Sequence, residues 1–402
     1  MARILVLGGG FAGLAAANRL AAWGRRRGHD LHLIDRRSHS IFSPVLPDLV
    51  SGRIRPEHIS HPLEAHCRRR RVRFTHAQVQ GFLPGFGGVI TDAGEFKADF
   101  MILCTGCDTN YFGNREMEQK TIGLKSPEDG RRIRESILQM AGAWARKESA
   151  QMPEILVIGG GYTGFEVASH AAHLLRAVTR VPFAELPDKV ARITILEKGE
   201  EVLRNVSPDV RRWAQALLTG YGVAVQTGAT VESFRDAVPI LTDGRAPANA
   251  LCVWTVGVTP GEAVTRMESP KVAGRRLQVD DRLRLPGIPH LFAAGDVAGP
   301  IMAGATAPLR MSVQFSLTGG WTAAANVIRT LEKRPLRRYA PDDLGYVIPL
   351  APGRAAGVVL GHQVRGRLPA LLHYFMTISR TWGWRNRAGI LTDLLHGTQK
   401  LL

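Results

Sequence analysis

The chain is poor in cysteine and has no long apolar run. Its 402 residues include only four cysteines: Cys67, Cys104, Cys107 and Cys252. Four cysteines do not make a disulfide framework, and this low number predicts a reducing compartment. Because no stretch of 18 apolar residues occurs, we expect no transmembrane helix. We also expect no cleavable signal peptide, because a first strand already begins at Ile4.

Acidic residues are scarce as well. The chain has 35 of them against 52 basic residues, which gives a formal net charge of +17. Such a surface attracts polyanions, whether nucleic acid, anionic lipid or an acidic partner. Much of the excess lies in residues 329–402, which contain 12 basic and 4 acidic side chains. The arginine run at 68–71 lacks interleaved aromatic residues and fits a solvated face, so we expect no nucleic-acid binding.

A repeat is the strongest feature that is present. Residues 4–14 recur at 155–165 with seven of eleven positions identical. Each copy predicts a buried parallel strand, then a G-x-G-x-x-G turn, then an Ala-rich helix. The glycines are Gly8, Gly10 and Gly13 in the first copy and Gly159, Gly161 and Gly164 in the second. In such a turn the glycines permit the sharp bend, the approach of a pyrophosphate and close helix–strand packing.

A second strand in each copy ends in an acid, Asp35 in the first and Glu197 in the second. A carboxylate there can accept hydrogen bonds from an adenosine ribose and would repel a 2′-phosphate, so Glu197 favours NADH over NADPH. Two complete copies predict two dinucleotides, most economically FAD in the first and NADH in the second. The alternative is a pair of glycine-rich turns that bind nothing. Between the second helix and Glu197, residues 176–190 are expected to form an inserted loop.

Three further apolar runs predict strands whose ends carry candidate dinucleotide-binding residues. Residues 100–106 end in Thr105 and Gly106, where the chain would leave for the second domain, and residues 291–296 end in Gly295 and Asp296. An acid at that strand end could bind the ribityl chain of FAD; a helix cap or turn residue is the alternative. The third run ends in Gly257 and matches the second domain.

The predicted fold is therefore α/β, with two nested Rossmann-like dinucleotide-binding domains and a C-terminal amphipathic segment. We expect an FAD-binding domain over residues 1–115 and 278–330. An NADH-binding domain is expected over residues 116–277, and the amphipathic segment over residues 331–402.

This order of motifs resembles the two-dinucleotide-binding-domain flavoproteins of the pyridine nucleotide-disulfide oxidoreductase superfamily. Within them it is most similar to type II NADH:quinone dehydrogenases and the related sulfide:quinone oxidoreductases. The sequence features that narrow the resemblance to this group are residues 33–37 followed by 41–46, and residues 105–110, 124–129, 165–168 and 254–257. The resemblance implies FAD contacts at Gly8, Gly10, Gly13, Asp35, Thr105, Gly106, Gly295 and Asp296. It implies NADH contacts at Gly159, Gly161, Gly164, Glu197 and Gly257. It also matches Glu166 to a carboxylate near the nicotinamide and flavin.

The quinone-site motif of that family, Ala-Gln-x-Ala-x-Gln, aligns with residues 309–314 here. Only Gln314 matches, while Arg310 replaces the first glutamine and Ser312 the second alanine. Gln314 is predicted to hydrogen-bond a quinone carbonyl or the flavin; a satisfied amide with no such role is the alternative. Glu166 and Gln314 are thus the candidate catalytic residues.

Two other patterns are weaker. Cys104 and Cys107 form C-x-x-C, but neither lies where disulfide reductases or sulfide:quinone oxidoreductases keep their reactive pair, so we expect no catalytic disulfide. His170 and His173 lie three residues apart, but no cysteine or acid in the pattern completes a ligand set, so we expect no metal.

The C-terminal segment carries apolar residues at helical spacing from Leu368 to Met376, with Trp382, Trp384 and arginines beside them. This pattern is typical of a helix that lies in a membrane interface, and it predicts an anionic membrane surface as a partner. We expect a cytoplasmic protein bound peripherally to the inner face of the cell membrane. The alternative is an amphipathic hairpin packed on its own domain or in a homodimer.

The predicted function is a FAD-dependent oxidoreductase that passes a hydride from NADH to FAD and two electrons to a membrane quinone. One alternative keeps the fold with a soluble, non-quinone acceptor, and another is a relative of sulfide:quinone oxidoreductases. A flavoprotein-like sensing protein without fast turnover is the alternative from another class.

Overall fold

The computed structural model describes residues 1–24, 27–351 and 353–396. The chain folds into two compact units. Unit 1 consists of Met1–Ser40, His61–Asp108 and Val258–Asp342. Unit 2 consists of Ile41–Ser60, Thr109–Gly257 and the chain from Asp343 onward. Because unit 2 interrupts the chain of unit 1, the predicted α/β fold with nested units is confirmed. The exact domain boundaries given above stay a prediction.

A six-stranded sheet forms the centre of unit 1. Its strands lie in the order Arg284–Leu285, Ile288–Ala293, Phe100–Leu103, Arg3–Leu7, Asp30–Asp35 and Arg73–His76. All neighbours pair in parallel except the first two strands, which are antiparallel. The central strands are short apolar runs with both faces buried, as in sheets covered on both sides.

The remaining elements of unit 1 surround this sheet. Its α-helices are Phe11–Gly24, Leu63–Arg70, Glu262–Thr265 and Val313–Leu331. Smaller antiparallel sheets are made by Val79–Phe82, Gly88–Thr91 and Gly94–Lys97, and by Lys271–Val272 and Arg276–Leu277. Helix Val313–Leu331 packs on Phe11–Gly24, the helix that follows the first glycine loop. Both helices present small buried side chains to the interior, which allows them to pack closely.

Unit 2 has a parallel sheet of four strands in the order Val223–Thr227, Arg192–Glu197, Glu154–Ile158 and Ala250–Trp254. Helix Tyr162–Thr179 follows the second glycine loop. The expected loop at 176–190 is partly helical, because this helix continues to Thr179 and a short helix, Leu186–Lys189, follows. Pro187 does not break that short helix, because it lies in its first turn, where a proline is tolerated.

Other helices of unit 2 are Leu46–Ser51, Arg115–Lys120, Pro127–Ala145, Pro208–Gly220, Arg367–Arg380 and Trp384–His396. A hairpin pairs Val231–Arg235 with Val238–Leu241, and an antiparallel sheet consists of Gly345–Pro349, Ala355–Val359 and His362–Gly366. Short strands lie where the chain passes between units: His39–Ile41, Ser60–Pro62, Asp108–Thr109 and Val258–Thr259.

Candidate functional site

The first glycine loop connects strand Arg3–Leu7 to helix Phe11–Gly24. Gly8 has a φ of +101°, which an L side chain rarely adopts. A Cβ atom on Gly13 would lie 1.7 Å from the Gly8 carbonyl oxygen, so the close turn requires glycine there. A Cβ on Gly10 would meet no atom within 4 Å. Gly10 therefore faces open space at the helix N-terminus, which fits a pyrophosphate approaching the backbone.

The Asp35 carboxylate stabilises this loop. Its two oxygens accept hydrogen bonds from the backbone N–H groups of Gly9 and Arg37. Burial raises the pKa of Asp35, and these two backbone hydrogen bonds oppose that shift. The acid at the end of strand Asp30–Asp35 thus has a structural contact in addition to its predicted role towards a ribose.

The second glycine loop has the same geometry. Gly159 has a φ of +110°, and a Cβ on Gly164 would lie 2.0 Å from the Gly159 oxygen, while one on Gly161 would meet nothing within 4 Å. The Glu197 carboxylate accepts hydrogen bonds from the Gly160 N–H at 2.9 Å and the Gly199 N–H at 2.8 Å. Each glycine loop, with its strand-end acid, forms what we call a cradle. Both cradles have the same backbone geometry, and both therefore fit a dinucleotide pyrophosphate.

Thr255 is a residue of this second loop that the sequence reasoning missed. Its hydroxyl donates to the carbonyl oxygens of Ile158 and Gly159, at 2.8 and 3.1 Å, and so ties the neighbouring strand to the turn. Gly257, two residues further on, has a φ of +67°. A hydroxyl next to a predicted strand end is the only signal in the sequence that could have suggested Thr255.

The other predicted FAD contacts lie at one edge of the unit 1 sheet. Strands Phe100–Leu103 and Ile288–Ala293 are parallel neighbours, so Thr105, Gly106, Gly295 and Asp296 all follow carboxyl ends of adjacent strands. Ligands of doubly wound folds bind at this edge. The structure thus brings these residues to the same side of the sheet as the first glycine loop.

Arg276 holds this region together, and sequence reasoning missed it. Its buried guanidinium donates to the backbone oxygen of Asp296 at 3.1 Å, to that of Leu309 at 2.7 Å and to that of Ala298. Burial lowers the pKa of Arg276. One side chain therefore fixes both ends of the loop from Asp296 to Leu309. One of two consecutive arginines in a polar stretch carries no pattern that could have predicted this contact.

The two candidate catalytic residues belong to different units. Glu166 lies in the first half of helix Tyr162–Thr179 in unit 2, and Gln314 is the second residue of helix Val313–Leu331 in unit 1. Ser312 caps the latter helix by accepting a hydrogen bond from the Phe315 N–H. The Arg310 guanidinium lies 5.1 Å from the centre of the Phe315 ring. Both Glu166 and Gln314 are half-buried.

The four cysteines, all of which lie in the described ranges, form no disulfide with one another. Cys104 is buried directly after strand Phe100–Leu103, and burial raises its pKa. Cys107 is half-buried, and its thiol donates to the Asp296 carbonyl oxygen at 3.3 Å. A thiol with a raised pKa is a poor nucleophile, so Cys104 is not arranged as a reactive cysteine.

The two C-terminal helices of unit 2 expose a large apolar surface, which we call the C-terminal apolar face. Its most exposed members are Leu368, Leu371, Phe375, Trp384 and Leu395, each at least 66% accessible. The opposite sides of the helices are held by buried polar contacts, among them Asp393, which accepts hydrogen bonds from Arg55 and His58. Within the ranges described above, no helix combines the length and hydropathy needed to cross a membrane.

Comparison with known proteins decides the family. Residues 2–316 match the model of the pyridine nucleotide-disulphide oxidoreductase family. The chain belongs to this family. The match includes both glycine loops, both strand-end acids and the Gly295–Asp296 turn, so the family assignment agrees with the duplicated geometry.

Curated relatives within this family carry consistent names. The type II NADH:quinone oxidoreductase of Mycobacterium tuberculosis is 28% identical over 74% of this chain and 67% of its own. The demethylphylloquinone reductase of Synechocystis is 27% identical over 96% of this chain and 93% of its own. The resemblance to type II NADH:quinone dehydrogenases is thereby confirmed.

A solved structure agrees in fold. NDH2 from Plasmodium falciparum, in complex with NADH, superposes with a TM-score of 0.84 at 15% identity and covers 98% of both chains. The match extends beyond residue 316 and therefore includes the C-terminal sheet and helices.

Proposed function

We propose that this chain is a FAD-dependent NADH:quinone oxidoreductase. The observation that carries the proposal is the duplicated cradle, in which each glycine loop leaves open space at its second glycine and is anchored by a strand-end acid. The names of the curated relatives support NADH as the donor and a quinone as the acceptor.

When bound, FAD supplies the chemistry by accepting a hydride equivalent from NADH and releasing two electrons to the acceptor. The chain supplies binding and orientation. The helix that follows each loop directs its free N–H groups towards a pyrophosphate, and Gly10 and Gly161 let the phosphates approach the backbone. The Glu197 carboxylate accepts hydrogen bonds from ribose hydroxyls and repels a 2′-phosphate, and this selects NADH over NADPH. Asp296 and Thr105 contact FAD, and Gly257 contacts NADH, in this proposal.

The decisive test is an anaerobic titration of the purified yellow protein with NADH, followed by a panel of acceptors. We expect NADH to bleach the flavin band, and a quinone to restore it. NADPH is the control donor and should bleach the flavin much more slowly. A colourless protein that stays colourless after incubation with FAD would refute the proposal, as would a bleached flavin that no quinone reoxidises.

One observation favours a second candidate function, a soluble acceptor in place of quinone. Arg310 occupies the position of the first glutamine in the family's quinone motif, and its guanidinium lies over the Phe315 ring. Arg310→Gln, which restores one position of the motif, distinguishes the two. If the natural acceptor is a quinone, the parent already turns over quinone and the substitution changes that rate. If the acceptor is a soluble molecule or protein, the parent reduces quinone poorly and the variant gains quinone activity.

We further propose that the C-terminal apolar face binds an anionic membrane. Exposed apolar side chains would enter the interface, and nearby arginines such as Arg367, Arg380 and Arg385 would contact lipid headgroups. In this proposal the protein would lie peripherally on the inner face of the cell membrane, in the cytoplasm. It would also let a lipid-soluble acceptor reach the protein without leaving the bilayer.

Vesicle sedimentation tests this placement. We expect binding to vesicles that contain anionic lipid, weaker binding to neutral vesicles and loss of binding in a Leu371→Glu, Phe375→Glu double variant. Ile90→Glu is a matched control, because Ile90 is an exposed apolar residue of unit 1. If the double variant instead converts a homodimer to a monomer and vesicle binding is absent throughout, the face is a dimer interface.

A further inference from the structure

The second glycine loop packs against a turn that lies outside the sequence motif. We call residues 202–207 the flanking turn; it follows the strand that ends at Glu197. The Leu203 N–H donates to the Gly160 carbonyl oxygen at 2.8 Å, and the Gly160 N–H donates to the Glu197 carboxylate at 2.9 Å. A Cβ on Gly160 would lie 2.5 Å from the Val202 side chain. The middle glycine of the loop is therefore held by both the acid and the flanking turn.

The flanking turn contains a strained residue. Leu203 has a φ of +48°, which residues with a side chain rarely adopt, and it is 3% exposed. A hydrogen bond of 3.0 Å from the Val206 N–H to the Leu203 oxygen closes the turn. Strained backbone of this kind persists only where the surrounding structure supports it. In unit 1 the corresponding glycine, Gly9, instead faces the side chain of Leu63, which belongs to a helix. The position of the second glycine loop thus depends on what holds the flanking turn.

Tyr346 supports the flanking turn from the C-terminal sheet. It is the second residue of strand Gly345–Pro349, which lies outside the residues that match the family model. Its hydroxyl accepts a hydrogen bond from the Ser207 N–H at 3.4 Å. Its ring stacks on that of Tyr162, with centroids 5.7 Å apart and planes inclined by 21°. The Tyr162 hydroxyl donates to the Asn205 oxygen at 3.5 Å, so the two tyrosines contact each other and the same turn.

The ring contact carries most of this interaction. Hydrogen bonds of 3.4 and 3.5 Å are long and therefore weak. A stacked pair of aromatic rings adds stabilisation that corresponds to roughly a two- to twelvefold change in an equilibrium constant. Loss of the Tyr346 ring should therefore matter more than loss of its hydroxyl.

The C-terminal sheet fixes the backbone of Tyr346. A Cβ on Gly357 would lie 2.0 Å from the Tyr346 carbonyl oxygen, and one on Gly345 would lie 1.9 Å from the Val358 oxygen. The Gly345 N–H also donates to the Asp343 carboxylate at 2.8 Å. Strands that approach this closely leave the backbone little freedom, so the sheet sets where the Tyr346 ring lies.

Tyr162 lies at the end of the second cradle. It directly follows Gly161 and is the first residue of helix Tyr162–Thr179, whose free N–H groups would face the pyrophosphate in the proposed function. A Cβ on Gly161 would meet no atom within 4 Å, so this end of the helix borders open space. By contacting Tyr162 and the flanking turn together, Tyr346 fixes the start of this helix and the middle of the glycine loop.

We propose that Tyr346 is a positioning residue for NADH binding, because it holds Tyr162 and the flanking turn in the arrangement that the second cradle requires. The inference rests on the proposed function and extends it, since the NADH site is then completed by the C-terminal sheet. The last strand of that sheet, His362–Gly366, leads directly into helix Arg367–Arg380, which carries part of the C-terminal apolar face.

Anaerobic reduction of the flavin by NADH, followed by stopped-flow absorbance, tests the proposal. We expect Tyr346→Ala to raise the NADH concentration that gives half the limiting rate by roughly tenfold, as for the loss of one stacked pair. The limiting rate should stay within about twofold, because saturating NADH restores the bound arrangement. Tyr346→Phe keeps the ring and should retain the parent NADH affinity to within about twofold.

Tyr221→Ala is the matched control, because it also removes a tyrosine ring of unit 2, one that packs on His173 and Phe183. It should change neither the half-saturating NADH concentration nor the limiting rate. If Tyr346→Ala does not fold, Tyr346→Leu takes its place, since it keeps an apolar side chain in the strand but no ring.

A double-mutant cycle separates positioning from a general loss of stability. Tyr162→Ala should weaken NADH binding by a similar factor, and the double variant should bind no more weakly than either single variant, because all three lack the stacked pair. Additive effects, an unchanged half-saturating concentration without the Tyr346 ring, or an equal rise in Tyr221→Ala would overturn the proposal. A parent that NADH does not bleach overturns the proposed function and this inference with it, whereas a bleached parent with unaffected variants overturns the inference alone.

Discussion

The two glycine loops share one geometry, but the helices that follow them bury different chemistry. Helix Phe11–Gly24 buries alanine, leucine and glycine, whereas Tyr162–Thr179 buries Ser169 and His170 and carries Glu166. The cradle depends on backbone shape and one acid, so the same construction serves in both units. The buried face of the helix after the loop does not take part in the loop geometry. One of the two helices could therefore acquire ionisable groups without disturbing its loop.

The acids sharpen this comparison. Asp35 and Glu197 differ by one methylene, yet each accepts hydrogen bonds from the loop's middle N–H and from an N–H two residues after itself. The identical contacts show that the strand-end acid is part of the loop structure. A substitution there is therefore expected to affect both folding of the turn and choice of nucleotide.

The largest expected effect comes from alanine at the third glycine of each loop. A Cβ there would lie 1.7 Å from a carbonyl oxygen in unit 1 and 2.0 Å in unit 2, so the turn must open. We expect Gly13→Ala to yield a colourless protein. Gly164→Ala should stay yellow but bind NADH roughly 100-fold more weakly, which corresponds to about 3 kcal/mol. Visible absorbance and NADH titration measure the two effects.

Gly220→Ala is the control for this pair, because a Cβ at Gly220 would meet no atom within 4 Å. It should change neither colour nor NADH affinity. If both loop variants lost flavin and NADH to the same extent, the assignment of one nucleotide to each loop would be wrong.

Arg276→Met is expected to have the next largest effect and to act on unit 1. It leaves three carbonyl oxygens near Asp296 without their donor, which should lower the free energy of unfolding by about 3 kcal/mol. Urea unfolding followed by flavin fluorescence measures the loss. Arg266→Met removes only an exposed ion pair with Glu262 and should cost less than about 1 kcal/mol. Similar losses in both variants would contradict the role of Arg276.

Glu197→Gln tests the acid of the second loop. Removing the negative charge should raise the preference for NADPH over NADH by about tenfold, since repulsion of a 2′-phosphate is lost. The ratio of kcat/KM for the two donors measures it. Glu201→Gln is the control, because Glu201 is an exposed neighbour paired with Arg211. An unchanged ratio would show that Glu197 acts only on the loop.

The last prediction concerns the pH dependence of stability. Burial lowers the pKa of His170 to about 3 in the folded state, against 6.5 for a free histidine. Between these values the unfolded chain binds more protons, so this contribution to stability is present above pH 6.5 and is lost as the pH falls towards 3. His170→Asn should reduce the slope of unfolding free energy against pH by up to about 1.4 kcal/mol per unit. His362→Asn, at an exposed position, should leave the slope unchanged; equal slopes in all three proteins would contradict the prediction.

Much of the fold could be predicted because its signals are local. Strands Arg3–Leu7 and Glu154–Ile158 are short apolar runs directly before glycine loops, and the loops set where the following helices begin. The segment at 176–190 is harder to predict, because Pro187 suggests the end of a helix but is tolerated in the first turn of one. The membership of Ile41–Ser60 in unit 2 has no local signal at all.

The site could be predicted only where one motif contains it. The glycines, Asp35 and Glu197 lie at fixed spacings, so their roles follow from pattern. Other buried contacts join residues more than 300 positions apart, such as the hydrogen bond from the Tyr374 hydroxyl to Asp48 Oδ1. No periodicity links such residues, and only tertiary packing brings their polar atoms together.

The scattered origin of unit 2 has a consequence for biosynthesis. The first of its three stretches leaves the ribosome long before Tyr374, which lies 326 positions after Asp48. Until then Asp48 stays hydrated in the nascent chain, because the Tyr374 hydroxyl that donates to its carboxylate has not yet been synthesised. Unit 2 therefore cannot mature before synthesis has passed Tyr374, and an abortive product that stops near residue 340 is expected to be a substrate for chaperones and proteases.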